Sequence, residues 1–144
     1  MKLILFLLLA GGLMGQPVFV PSGASVSMGL RRHTEPFQFT GSMKPLIHGG
    51  EYFHYEPYRD GMELKVGELL WIVRGSDGKG ATHTMTAQNK RAVLTSGMAN
   101  RKNDGWTPKR KVLHESDGPG IVGVIRFIER KPVTSVAQVS AALR

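Results

Sequence analysis

The chain has 144 residues, which fits one domain large enough to bury a core of its own. It has no cysteine, so a disulfide framework and thiolate metal sites are excluded. The net charge of +8 is scattered over short clusters (Arg31-Arg32, Lys90-Arg91, Arg101-Lys102, Lys109-Arg110-Lys111 and Arg130-Lys131). No aromatic residues interleave with these clusters as a base-stacking platform requires, and nucleic acid is not an expected partner.

Lys2 opens the chain with a positive charge, and Leu3 to Met14 is an apolar run broken only by Gly11 and Gly12. Its length suits the core of a signal peptide and falls short of the roughly 20 residues that span a bilayer. Continuing through Val18-Phe19-Val20 gives a longer, imperfect span. Residues 1–20 therefore read as an apolar helix that is either a cleaved signal peptide or a signal-anchor. Lys2 favours an inside N-terminus and Arg31-Arg32 argue the other way, so charge leaves the orientation open. The apolar-core pattern favours export, with the following domain on the extracytoplasmic side, membrane-associated or released after cleavage. Residues 21–36, rich in Gly, Ser and Pro, read as a linker.

From residue 37 the pattern is one of short strands and turns. Glu51 to Tyr58 mixes aromatic and polar residues as a strand does, and Arg59-Asp60-Gly61 is a turn. Glu68 to Arg74 is a largely apolar strand, expected to be central. Ser76-Asp77-Gly78-Lys79-Gly80 is a hairpin loop. In Ala81 to Ala87 three threonines alternate with His83 and Met85, which predicts opposite faces of one strand. Asn89-Lys90 turns the chain into Arg91 to Thr95, a polar loop covers Ser96 to Pro108, and Ile121 to Ile128 is a last strong strand. A domain over 37–130 and a C-terminal tail over 131–144, with a short helix in Val133 to Leu143, complete the organisation. Closely spaced strands with Gly-rich turns predict an all-β, antiparallel, coiled architecture, a partly open barrel.

A serine hydroxyl becomes a nucleophile only when a neighbouring base removes its proton. Ser42 lies in a bend, Thr40-Gly41-Ser42-Met43-Lys44-Pro45-Leu46, between extended segments. His83 is the best-placed base, since neutral imidazole suits proton abstraction near neutral pH. Asp104, in the polar loop, can orient the imidazole and hold its tautomer. Ser, His and Asp in that order also occur by chance in most chains, and a strand histidine is more often structural.

Several blocks resemble the type I signal peptidase family, and within it the endoplasmic-reticulum and archaeal branch. Gly41-Ser42-Met43-Lys44-Pro45-Leu46 with Gly50-Glu51 is similar to the nucleophile box of that family. Val66-Gly67-Glu68-Leu69-Leu70 is similar to its following strand box, and Thr82-His83 to the Thr-His that carries the general base. Leu94-Thr95-Ser96-Gly97-Met98-Ala99-Asn100 with Asp104 is similar to its acidic loop, and Ile121-Val122-Gly123-Val124-Ile125 to its closing strand. The resemblance covers about residues 38–128. It implies a serine endopeptidase that cleaves leader peptides or exported proteins after small residues, with Ser42, His83 and Asp104 catalytic. The backbone N–H of Ser42 and the hydroxyl of Thr40 would form the oxyanion hole. It implies a polypeptide substrate, a nearby membrane surface and no cofactor. The chain departs from the family pattern at Met98 and Asn103, where acidic residues are replaced, and at Thr84, where the family has Arg. Met98 and Asn103 favour the alternative, a non-catalytic peptide-binding β-module of the same fold, whereas retention of Ser42, His83 and Asp104 together favours the enzyme.

The remaining polar residues read more simply. His48 and His54 have no carboxylate at a metal-ligand spacing, so no metal is expected. His114 reads as solvated, Trp71 as core and Trp106 as a loop anchor. Phe37, Phe39, Met43 and Leu46, around Ser42, read equally as core or as a surface that dips into the membrane.

Overall fold

Among the described residues, the main runs of β-branched and aromatic residues form strands. The computed structural model describes residues 16–24, 29–37, 41–44, 46–47 and 49–130. The strands are β1 (Val18–Pro21), β2 (Arg31–Arg32), β3 (Tyr52–Pro57), β4 (Leu69–Val73), β5 (Gly80–Gln88), β6 (Ala92–Ser96), β7 (Trp106–Pro108) and β8 (Gly120–Arg130). One 3-10 turn, Glu115–Asp117, precedes β8. The spatial order is β2-β3-β8-β4-β5-β6-β7, antiparallel throughout, with β1 added parallel to β8. The described residues are thus mainly antiparallel sheet. The N-terminal apolar helix and the tail helix lie outside them, as do Thr40 and His48.

β8 is the spine of the sheet. It pairs with β3 along one side and with β4 and β1 on the other. A strand covered on both faces is apolar without alternation, and Ile121 to Ile125 is buried throughout. Gly123 is required by a close approach: a Cβ there would lie 2.6 Å from the Glu56 carbonyl oxygen and 2.6 Å from the Tyr55 ring. The sheet also curls back on this spine. Ile121 N–H donates to the Arg110 carbonyl at 2.7 Å, and Val112 N–H to that of Ile121 at 3.1 Å. The segment after β7 therefore meets the N-terminal end of β8, and β4 through β7 form a closed turn of sheet.

Two cores result from the alternation along β4. Leu70 and Ile72 pack with Tyr58, Leu64, Met85, Val93, Ile121 and Val124. Leu69 faces the opposite way, into Phe37, Met43, Ile47, Phe53, Ile125 and Ile128. Full burial of such a side chain contributes about 1.5–3 kcal/mol. Trp71 joins the second cluster and meets Tyr55 edge-on, with ring centroids 5.1 Å apart.

Four expectations change. Val18 to Pro21 is a strand on β8, so an N-terminal helix or anchor does not extend through those residues. The linker expected over 21–36 contains β2, which pairs with β3, so part of it belongs to the sheet. β2 is two exposed arginines, the charged composition of a protected sheet edge, and carries no apolar period. Trp106 to Pro108, expected as loop, pairs with β6, and the Trp106 side chain is half exposed. Phe37 and Met43 are buried in the second core, so neither dips into a membrane.

Candidate active site

The turn that carries Ser42 is held from below. Gly41 adopts φ 77°, a left-handed conformation that glycine adopts without steric cost, and Lys44 N–H closes the turn on its carbonyl at 3.2 Å. Met43 and Ile47 point into the second core at 3% and 5% exposure. They pin the turn to β3, β4 and β8 and leave Ser42 half-buried. From the other side the Ser42 carbonyl accepts the Ala99 N–H at 2.8 Å. Gly97 makes that approach possible: a Cβ there would sit 2.7 Å from the Ser42 carbonyl oxygen and 3.0 Å from Ser42 Cβ.

His83 lies on β5, whose two-residue period turns His83 and Met85 inward together. Its Nε2 is 2.9 Å from Ser42 Oγ and its Nδ1 is 2.6 Å from Asp104 Oδ2. An ionised carboxylate only accepts hydrogen bonds, so the short Nδ1 contact requires the proton on Nδ1. Nε2 is then an acceptor, and the Ser42 hydroxyl donates to it. His83 and Asp104 side chains are each 5% exposed, which shields these bonds from competing water.

Asp104 sits at the end of the loop that follows β6. Its N–H donates to the Thr95 carbonyl at 2.8 Å, and the Thr95 hydroxyl donates to Asp104 Oδ2 at 2.8 Å. The other carboxylate oxygen, Oδ1, lies 3.6 Å from Arg74 Nη1. Asn103, which replaces an acidic residue of the expected loop, accepts the Gly105 N–H at 3.0 Å and shapes the turn behind Asp104.

The structure thus brings together Ser42, His83 and Asp104, which lie far apart in sequence. Thr40, the expected second oxyanion donor, falls outside the described residues. Thr95, Gly97, Ala99 and Arg74 support the array without standing out as candidates in the sequence. Thr95 and Gly97 stand inside the Leu94–Asn100 block, and their spacing to Asp104 was the available signal. Arg74 carried a weaker one: a charge closing an apolar strand, with Asp77 three residues on.

Two other ionic clusters brace the sheet. Glu129 Oε2 meets Arg32 Nε at 2.6 Å and His54 Nε2 at 2.9 Å, and Oε1 accepts the Gly23 N–H at 2.8 Å. His54 is thereby a buried structural histidine. Arg126 bridges Glu56 and Glu68, each at 2.9 Å. Exposed His114 pairs with Asp117 at 3.3 Å. An open hollow lined by Asn89, Lys90, Arg91, Ala92 and Trp106 lies at the β5–β6 turn and includes no member of the Ser42 array.

Among the described residues no group of three or more His, Cys, Asp and Glu side chains could hold a metal ion. No helix among them is long and apolar enough to cross a membrane. The chain matches no family model, no curated protein and no solved structure.

Proposed function

We propose that the chain is a serine endopeptidase of the signal-peptidase type, acting on leader peptides or other exported polypeptides. The observation that carries this reading is the continuous array from Ser42 Oγ through His83 to Asp104, with contacts of 2.9 and 2.6 Å. Those are the distances at which a hydroxyl, a general base and an orienting carboxylate act as a unit.

Ser42 Oγ attacks the scissile carbonyl carbon while its proton passes to His83 Nε2. The imidazolium that forms keeps its Nδ1–H on Asp104. Negative charge on the former carbonyl oxygen is met by the Ser42 N–H, and one such donor is worth about 3 kcal/mol. Collapse of the tetrahedral intermediate breaks the C–N bond, and His83 delivers the proton to the departing amine. Water then attacks the acyl carbon as its proton passes to His83. Collapse of this second intermediate breaks the bond from carbon to Ser42 Oγ while His83 returns the proton to Oγ and the new carboxyl product leaves. No metal or redox partner enters this sequence. The blocks that resemble type I signal peptidases add the substrate class, an exported polypeptide with small residues one and three positions before the cut.

The test is cleavage of a set of exported precursors in detergent or vesicles by wild type, Ser42→Ala and His83→Ala. Expected is a defined cut after a small residue, reduced by about 10⁴-fold or more in either variant while both remain folded. A folded wild type that cuts none of them overturns the peptidase reading in favour of a peptide-binding β-module. Cleavage that survives both substitutions removes Ser42 and His83 from the chemistry.

A further inference from the structure

We propose that Arg74 is a positioning residue for the Ser42–His83–Asp104 array, an inference that rests on the peptidase reading. Arg74 follows β4 and opens the hairpin to β5. Its N–H donates to the Lys79 carbonyl and its carbonyl accepts the Gly78 N–H, both at 2.9 Å. Its guanidinium is clamped at one edge: Nε and Nη2 donate to Asp77 Oδ1 and Oδ2 at 3.0 and 2.6 Å. Asp77 is itself held, because Oδ1 also accepts the Lys79 N–H at 3.0 Å. A planar guanidinium fixed at two nitrogens has no freedom left at the third. That third nitrogen, Nη1, is the one facing Asp104 Oδ1 at 3.6 Å.

The arrangement matters because the two oxygens of Asp104 have different tasks. Oδ2 accepts from His83 and from Thr95. Rotation about the terminal carboxylate torsion would move Oδ2 out of line with the imidazole, and that torsion is intrinsically broad. Arg74 opposes this by holding Oδ1 electrostatically, and Asp104 is too deeply buried for water to do so equally well. The groups facing the Asp104 carboxylate are His83 from β5, Thr95 from β6 and Arg74 from the hairpin, with Asp77 behind Arg74. Through them the hairpin loop is linked by four contacts to Ser42: Asp77 to Arg74, Arg74 to Asp104, Asp104 to His83, His83 to Ser42.

A merely structural Arg74 would brace the hairpin and leave the imidazole unaffected. The experiment therefore reads the imidazole directly. The ¹⁵N shifts of the His83 ring, assigned by their loss in His83→Ala, report the tautomer in the full chain without substrate. Wild type is expected to hold the Nδ1–H tautomer, and Arg74→Met to show a mixture of both. Arg74→Lys should restore the wild-type tautomer in part. In the precursor assay Arg74→Met should lower kcat by about 10–100-fold with KM within about twofold, because losing Arg74 displaces the base without removing a substrate contact. Asp77→Asn, at a more exposed loop position, should shift the tautomer in the same direction by less, and it serves should Arg74→Met not fold. An unchanged tautomer in Arg74→Met, or in Asp77→Asn if that variant alone folds, overturns the positioning role. So does an unchanged kcat. A wild type that shows the Nδ1–H tautomer but cuts nothing overturns the peptidase reading alone, and the ring shifts still decide the role of Arg74.

Discussion

Gly97 controls the space behind Ser42. Three atoms crowd the place a methyl group would occupy: the Ser42 carbonyl oxygen at 2.7 Å, Asn100 Nδ2 at 2.8 Å and Ser42 Cβ at 3.0 Å. The Asn100 amide can swing aside, but the Ser42 backbone can yield only by moving Ser42 Oγ. Gly97→Ala should therefore displace Ser42 Oγ from His83. Displacement of a reacting group by about 1 Å costs on the order of 10²-fold in rate. We expect kcat/KM in the precursor assay to fall by about that factor, with a far smaller change in thermal midpoint. Equal activity in wild type and variant would mean that the turn absorbs the methyl group without moving Oγ. Met98 beside it is 54% exposed, so a residue that departs from the expected acidic loop presents an apolar side chain to solvent one position from Gly97.

The Ser42 turn has no regular structure and is seated by apolar anchors on either side of Lys44. Met43 and Ile47 are nearly as buried as Leu69 and Ile125, with which they cluster. Truncating a buried Met or Ile to Ala costs about 2–5 kcal/mol. Met43→Ala should lower the denaturation midpoint by a corresponding amount and should also reduce cleavage per folded molecule, since the turn loses its seat. Urea titration together with the precursor assay separates the two effects. A stability loss with activity intact would assign Met43 to the core alone. The β4–β5 hairpin makes the complementary point, since one loop both joins two strands and presents Arg74 toward Asp104.

Across the whole molecule, Glu129 ties the N-terminal elements to the spine. Its side chain is 2% exposed, and it binds Gly23 after β1, Arg32 of β2 and His54 of β3 from its own place on β8. Burial pushes its carboxyl pKa up. The hydrogen bonds from Arg32, Gly23 and His54 and the charge of Arg32 outweigh that, and they bring it down from 4.5 to about 2. A carboxyl depressed by that much contributes stability on the order of 3 kcal/mol, present above the unfolded value and lost as pH falls through the folded one. Glu129→Gln should therefore be less stable than wild type by its full margin above pH 5, with the difference shrinking between pH 4.5 and pH 2. Urea midpoints at pH 7, 5, 4 and 3 check this, and a gap that stays constant across that range would remove Glu129 ionisation as its cause.

Much of this molecule was legible in the sequence, and the remainder has a common physical origin. The strands now seen as β3, β4, β5, β6 and β8 follow from local periodicity and from turn residues such as Asp77-Gly78, which neighbouring residues determine. The inward direction of His83 follows from the same alternation, and Ser42, His83 and Asp104 were recognisable as candidates by residue type and motif. What the tertiary structure alone decided depends on pairing across distance. β1, β2 and β7 are two to four residues long, too short for a period, and exist because β8, β3 and β6 offer them partners. The contact between Ser42 and His83 spans 41 residues, and that between Arg74 and Asp104 joins a hairpin to a distant loop. Strand register and the closure of the sheet on β8 set such contacts, and no window of local sequence encodes either.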